Sequence, residues 1–383
     1  ALAPEVHLMT PQKRRFVGGC RKVKFNELCL KGKSSLRQKD VLNDGPYAVY
    51  GASGIVGSMS TFQNPKPYVG VVKDGAGVGR VSACEGGTSV LGTMQALIPA
   101  EGVERDYLLH LARSLHLGDG FSGSTIPHIY FKDYGKTVVP LPSLETQREI
   151  SLQFNTIEWQ VELARQQLEM LDSLVKSRFV EMFGSGEKFR HCTMANLVEG
   201  IKAGTNVGGV QRPLQPGEFG VLKISAVTKG IFDSNEFKVV SDVSSIKMIH
   251  PLKGDLLFSR ANTSEMVGAT AIVDKDYPQL FLPDKLWRLD VADGVERIFL
   301  KYLLSSGRLR AEMSKAATGS SGSMQNVSMA KFRGLAAFLP PVPLQQEFAT
   351  FAAQVDKSRF VAQQQIEKLQ MLYDSLAQDY FGD

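Results

Sequence analysis

Between Ile150 and Met182 apolar residues return four and three positions apart: Ile150, Phe154, Ile157, Val161, Ala164, Leu168, Leu171, Val175 and, beyond the polar Arg178, Met182. Such spacing is a heptad seam and predicts one long helix. The same alternation closes the chain. A shift of 198 positions carries Ile150 onto Phe348 and continues through Ala352, Val355, Arg359, Ala362, Ile366, Leu369, Tyr373, Leu376 and Tyr380, and Phe183-Gly184 returns as Phe381-Gly382. A shift of 201 sets Leu168-Glu169-Met170-Leu171 better on Leu369-Gln370-Met371-Leu372, about one helical turn away; the shift of 198 runs without a gap from Gly123 to Gly184 and is kept. The two helices are expected to bury against each other, leaving Arg165, Gln166 and Gln167, and Gln363, Gln364 and Gln365, on faces open to partners. Arg178 and Arg359 interrupt the seams, which fixes register at some cost in stability.

Upstream of each seam the pattern changes to short apolar runs between glycine- and aspartate-rich turns, which predicts an α+β fold. Tyr47–Tyr50 and Tyr68–Val72 read as strands, with turns at Asn43–Pro46 and Asp74–Gly77; Asp106–Ser114 has helical spacing, and Gly118–Thr125 is a Gly/Ser loop. The second half repeats this order with strands at Gly220–Ile224 and Asp255–Arg260, a helix carrying Phe299, Leu300 and Leu303, and a Gly/Ser loop at Thr318–Ser323. Gly102-Val103-Glu104-Arg105 recurs as Gly294-Val295-Glu296-Arg297, and Asn326-Val327 stands where His128-Ile129 stands. An internal duplication accounts for all of this. The expected organisation is an N-terminal arm over 1–22, two similar globular domains over 23–139 and 185–338, and two long helices over 140–184 and 339–383, antiparallel and related by a pseudo-two-fold repeat.

With 383 residues, 43% of them hydrophobic and 22% charged, the chain has the make-up of a soluble protein of two or three cores, and the repeat decides for two. No apolar run approaches the roughly 20 residues of a membrane span, and Ala1–Thr10 has no signal-peptide pattern, so the expected location is cytoplasmic. Cys20, Cys29, Cys84 and Cys192 are scattered without metal-ligand spacing, and the six histidines form no metal motif, so no metal site is expected. A net charge of +5 is compatible with an anionic partner without establishing one. Asp74–Gly79 lacks the spacing and the Lys-Ser/Thr ending of a nucleotide loop. Asn64-Pro65-Lys66-Pro67-Tyr68 departs from the Asn-Pro-Pro-Tyr of adenine methyltransferases at Lys66, and reads as a rigid approach to Tyr68.

Helices of about 35 residues are roughly 50 Å long, a length that spans on the order of 15 base pairs of B-DNA. Packed antiparallel, they would hold two globular units at a fixed separation, as dimeric DNA-binding proteins hold their half-site readers. Here the chain resembles the specificity subunit (S, or HsdS) of type I restriction-modification systems. The resemblance rests on the Pro-rich approaches to both helices (Leu141-Pro142 with Gln147 and Glu149; Leu339-Pro340-Pro341 with Gln345, Gln346 and Glu347) and on Tyr50–Gly57 and Gly254–Leu257, and it runs from about Val23 onward.

The resemblance implies that each globular domain is a target recognition domain reading one half of a bipartite site in double-stranded DNA. It implies also that the helices dock two modification (methyltransferase) subunits, with restriction subunits as further partners, and that the chain has no catalytic centre. No cofactor is expected on this chain; S-adenosylmethionine, ATP and magnesium would belong to the partner subunits, which would flip and methylate one adenine in each half-site. For base and phosphate contact the candidates are Tyr50, Ser53, Lys73, Arg80, Ser124 and His128 in the first half, and Lys223, Ser225, Arg260, Asn262, Ser321, Ser323 and Gln325 in the second. The plain alternative for each is a solvated loop residue or turn former. Two other functions stand against this reading: a stand-alone DNA methyltransferase or nuclease, and a coiled-coil scaffold that binds no DNA.

Overall fold

The structure, a computed structural model, describes residues 20–123, 126–263, 266–317 and 325–382. The chain is mixed in helix and strand and divides into two compact units: one from the described residues up to Gln166 together with Ala362 onward, the other from Gln167–Val361. Each of the two 40-residue helices, Leu144–Phe183 and Val342–Phe381, contributes one part to each unit.

In the first unit the strand Arg21–Lys24 pairs antiparallel with Val138–Leu141, so Arg21 and Lys22, expected in the N-terminal arm, belong to a ladder. A four-stranded antiparallel sheet runs in the order Cys29–Lys31, Met94–Pro99, Tyr68–Val72, Val81–Cys84. The run Tyr-Val-Gly-Val-Val at Tyr68–Val72 is buried along its whole length, as β-branched and aromatic residues between two neighbours favour. A second sheet runs Gly54–Met59, Tyr47–Gly51, Ser89–Val90, with the last pair parallel. The helix Arg105–Ser114 begins where the Glu104 side chain accepts the Tyr107 N–H, and it buries Tyr107, Leu108 and Leu111. These share a core with Val139, Ile150, Phe154 and Phe381, so both long helices pack against the domain helix here.

The second unit repeats the topology. Arg190–Thr193 pairs with Ala336–Leu339; a four-stranded sheet runs Val198–Ala203, Leu286–Val291, Leu256–Ser259, Thr270–Ile272; a three-stranded one runs Phe237–Val240, Phe219–Leu222, Leu280–Phe281, again closing with a parallel pair. Ile224, expected in a strand, opens the short 3-10 turn Ile224–Val227, and Asp255 and Arg260 flank their strand. The helix Arg297–Ser305 is followed by a further helix, Gly307–Ala316, where the first unit has only the single turn Leu117–Gly120. The core joins Phe299, Leu300 and Leu303 to Val175, Phe179, Phe348, Ala352 and Val355.

Along the first long helix Ile150, Phe154, Ile157, Val161, Ala164, Val175 and Met182 are buried, and Leu168 and Leu171 half-buried. The expected interruption at Arg178 is corrected: the seam steps from Val175 to Phe179, 4% exposed, while Arg178 lies beside it and pairs with Glu181 and Glu347. Along the second, Phe348, Ala352, Val355, Ala362, Ile366 and Leu369 are buried, and Leu376 packs half-buried on the first unit's core. Arg359 does occupy a seam position, with 11% of its side chain exposed, held by Asp172 and Asp356.

One joint occurs in both units. Gln147, buried at the start of its helix, accepts the Glu104 N–H through Oε1 (2.9 Å) and donates from Nε2 to the carbonyls of Gly102 and Pro142 (both 3.0 Å). Gln345 accepts the Glu296 N–H (2.9 Å) and donates to Gly294 (3.2 Å) and Pro340 (2.8 Å). The Pro-x-x-x-x-Gln spacing of the sequence is thus a clasp between the domain helix and the long helix.

Candidate nucleic-acid interface

In the first unit the central strand Tyr68–Val72 delivers Lys73, whose N–H donates to the Thr93 carbonyl (2.9 Å) and whose carbonyl accepts the Ile129 N–H (3.0 Å). The turn that follows closes with Gly79 N–H on the Val72 carbonyl (2.8 Å). Gly79 has φ +83°, and a Cβ there would stand 2.1 Å from the Gly118 nitrogen, so only glycine fits. Arg80 ties this turn to the hairpin Tyr47–Met59 by donating from Nη1 to the Ala52 carbonyl (2.7 Å), beside the exposed Ser53. His128 pairs through Nδ1 with the Asp74 carboxylate and lies on Tyr130, ring centroids 4.0 Å apart; its backbone exchanges two 2.8 Å hydrogen bonds with Ser122. Ser53, Lys73, Arg80 and His128 are thus linked through one connected set of turns. Tyr50 is not part of it: it is half-buried against the cluster of Tyr68, Val72 and Val90. Ser124 lies outside the described residues.

The second unit builds the same position from different residues. Arg260 follows the central strand Leu256–Ser259; its N–H donates to Lys285 (3.1 Å) and its carbonyl accepts the Val327 N–H (2.9 Å), the counterparts of the bonds at Lys73. Ala261–Asn262 pairs with Gln325–Asn326, so Asn262 faces Gln325 across a two-residue ladder. The Arg260 guanidinium is engaged by Asp284, through the carbonyl at 3.0 Å and the carboxylate at 3.3 Å. Lys223 pairs with Glu236 at 2.8 Å, and the Ser225 hydroxyl donates to the same carboxylate. Hydrogen bonds from Lys223 and Ser225 hold Glu236 below the usual carboxylate range. Ser321 and Ser323 lie outside the described residues.

The charges therefore differ between the units. Among the described residues Lys73 and Arg80 have no carboxylate partner, whereas Lys223 and Arg260 each carry one, which lowers the field they offer to an anion and leaves Asn262 and Gln325, amides able to read adenine edges, as the neutral donors of the set. Sequence reasoning did not find Asp284 or Glu236. Arg260 and Asp284 are 24 residues apart and Ser225 and Glu236 are 11 apart, separations set by sheet order rather than by any local period. Among the described residues no group of three or more His, Cys, Asp or Glu could hold a metal ion, and no described helix is long and apolar enough to cross a membrane.

Residues 19–172 match the family of the type I restriction modification DNA specificity domain. Over 158 residues the chain is 25% identical to the type I restriction enzyme EcoEI specificity subunit of Escherichia coli, covering 40% of this chain and 26% of that protein, so the match spans about a quarter of the relative's length. Among solved structures, the type I restriction-modification S subunit from M. genitalium superposes with a TM-score of 0.58 at 13% identity, over 98% of this chain and 100% of that one. A chain from a study of complex assembly and conformational transition of the type I R-M system gives 0.54 at 17% identity, over 95% and 98%. At these identities the structural likeness is one of fold.

Proposed function

We propose that the whole chain is the DNA-sequence-specificity subunit of a type I restriction-modification complex, a reading supported by the match of residues 19–172 to the type I restriction modification DNA specificity domain family. Each unit carries one target recognition domain, 23–139 and 185–338, and each domain reads one half of a bipartite duplex site. The helical segments 140–184 and 339–383 form an antiparallel pair that spaces the two readers and docks two modification subunits, with restriction subunits joining the same assembly. The chain itself is non-catalytic in this reading. S-adenosylmethionine, ATP and magnesium are used by the partner subunits, and the chain's own residues bind and orient DNA.

The observation that carries the reading is the repeated position at the end of the central strand. Lys73 and Arg260 hold the same backbone bonds in the two units while their side chains, and those around them, differ. A duplicated scaffold with unlike polar residues at one matched edge is what reading two different short sequences requires. The test is co-expression with the modification subunit encoded beside this chain, followed by methylome sequencing. Adenine methylation at one split motif with a constant unread gap is expected; no stable complex, or methylation at an unsplit motif, rejects the reading.

A further inference from the structure

Most described arginines that are withdrawn from water meet a carboxylate: Arg105 meets Asp106, Arg113 Glu158, Arg260 Asp284, Arg288 Asp255 and Arg359 Asp172. Arg310 does not. It stands on the helix Gly307–Ala316, the element without a helical counterpart in the first unit, and among the described residues the one hydrogen bond of its side chain runs from Nη1 to the Val267 carbonyl at 2.7 Å. Its side chain is half-buried, and desolvation alone pushes its pKa down from the ordinary arginine value. Taking a guanidinium from water without a counter-charge is costly, so an uncompensated one points to an anion supplied from outside the chain.

The carbonyl it holds places Arg310 against one particular hairpin. Val267 lies in the hairpin that leaves the central strand at Ser259 and returns at Thr270, the hairpin that bears Arg260 and Asn262. The same helix pins that hairpin a second time: Met313 is fully buried, and Gly268, at φ +83°, lies so close to it that a Cβ would meet Met313 Cε at 2.6 Å. We propose that Arg310 is a phosphate-binding residue of the second recognition domain, gripping the backbone of bound duplex DNA with the N–H groups that Val267 leaves open while Nη1 keeps the reading hairpin in place. The proposal rests on the DNA-reading function above and gives it one backbone contact, the kind that sets register without carrying sequence information. Arginine suits the position because its planar fork serves a carbonyl and a phosphate at once, which a lysine ammonium does with less geometric definition.

The experiment measures affinity of the full chain, in complex with its modification subunits, for its methylated-motif duplex across a series of salt concentrations. Each neutralised phosphate contributes about 0.9 to the slope of log K against log salt. R310Q is expected to reduce the slope by about one phosphate's worth with the methylated motif unchanged, and R310K to keep it. A wild-type slope in R310Q overturns the proposal, as does an equal loss in R310Q and R310K, which would assign the effect to hairpin geometry. Phenylglyoxal modification of the wild-type complex, read by peptide mass spectrometry, needs no variant: Arg310 should react without DNA and be protected by duplex, and equal reaction in both overturns the proposal. Wild-type complex without salt-dependent duplex affinity would instead reject the DNA-reading function itself, so the two failures are distinct.

Discussion

His110 is fully buried between the domain helix and both long helices of the first unit. Asn155 donates its amide to Asp106 at 2.9 Å, so its carbonyl oxygen faces His110 and accepts from Nε2–H at 2.9 Å; Nδ1 then accepts the Tyr373 hydroxyl, also at 2.9 Å. The ring is thereby held neutral. Desolvation pushes its pKa below the ordinary value, and the opposing pull of Asn155, Glu158 and Asp106 does not restore it. The unfolded chain, with a histidine pKa of about 6.5, therefore binds the proton more readily than the folded one. Stability is retained above that value and falls as pH drops below it toward the folded pKa, by up to about 1.4 kcal/mol per pH unit. Thermal midpoints at pH 7.5 and 5.5 should separate more in the wild type than in His110→Gln; equal separations would remove His110 as the cause.

The clasps at Gln147 and Gln345 belong to the same scale. Each side chain satisfies one backbone donor and two backbone acceptors in a buried place. Truncation leaves those groups without partners, at a cost of about 1–3 kcal/mol. Gln147→Ala and Gln345→Ala should each lower the denaturation midpoint, whereas Gln166→Ala, on an exposed turn of the helix, should change little. These glutamines were visible in the sequence as matched residues after each Pro-rich approach; what they do was not, since two of the three partners of each lie 43 to 51 residues upstream.

Among the elements, the long helices were legible because their period is local: nearly every turn brings an apolar residue back to the same face. Phe179 escaped because the strict alternation places Arg178 on the seam, whereas the core around Phe183, Phe299 and Phe348 draws in the larger apolar neighbour. The helix Gly307–Ala316 was unread for the opposite reason: it is short and mainly polar, and only Leu309 and Met313 mark its buried face. Arg359 yields a prediction at this scale. Its partners Asp172 and Asp356 remain about half exposed, so removing the guanidinium strands neither carboxylate, and it also removes a positive charge that bears on Lys301, a lysine whose pKa burial lowers. Arg359→Leu should keep or raise stability by about 1 kcal/mol, as apolar replacements of buried ion pairs can; a loss of several kcal/mol on calorimetry would show that the pair contributes net stability.

For the molecule as a whole, the duplication could be read from sequence because it survives in spacing: two seams, two Pro-rich approaches, two glycine-serine loops. Strand order could not, since the pairing of Cys29–Lys31 with Met94–Pro99, or of Val198–Ala203 with Leu286–Val291, joins segments whose separation no local pattern encodes. Of the candidate contact residues, Lys73, Arg80 and His128 came together in adjoining turns, as did Arg260, Asn262 and Gln325. Lys73 and Arg260 came out at equivalent backbone positions, Tyr50 packed half-buried against a core cluster, and the carboxylates that engage Arg260 and Lys223 became visible only once the sheets had brought distant segments together.

The glutamine clasp has a consequence for how such a chain can change. In each copy its three hydrogen bonds end on main-chain atoms, so the joint makes no demand on the side chains of the domain it fastens. A foreign domain with the same backbone course at the start of its helix could be seated on either long helix without redesigning the connection. The molecule is in that respect a holder whose grip on each domain rests on backbone course alone, so one segment can be exchanged for another while the joint stays the same.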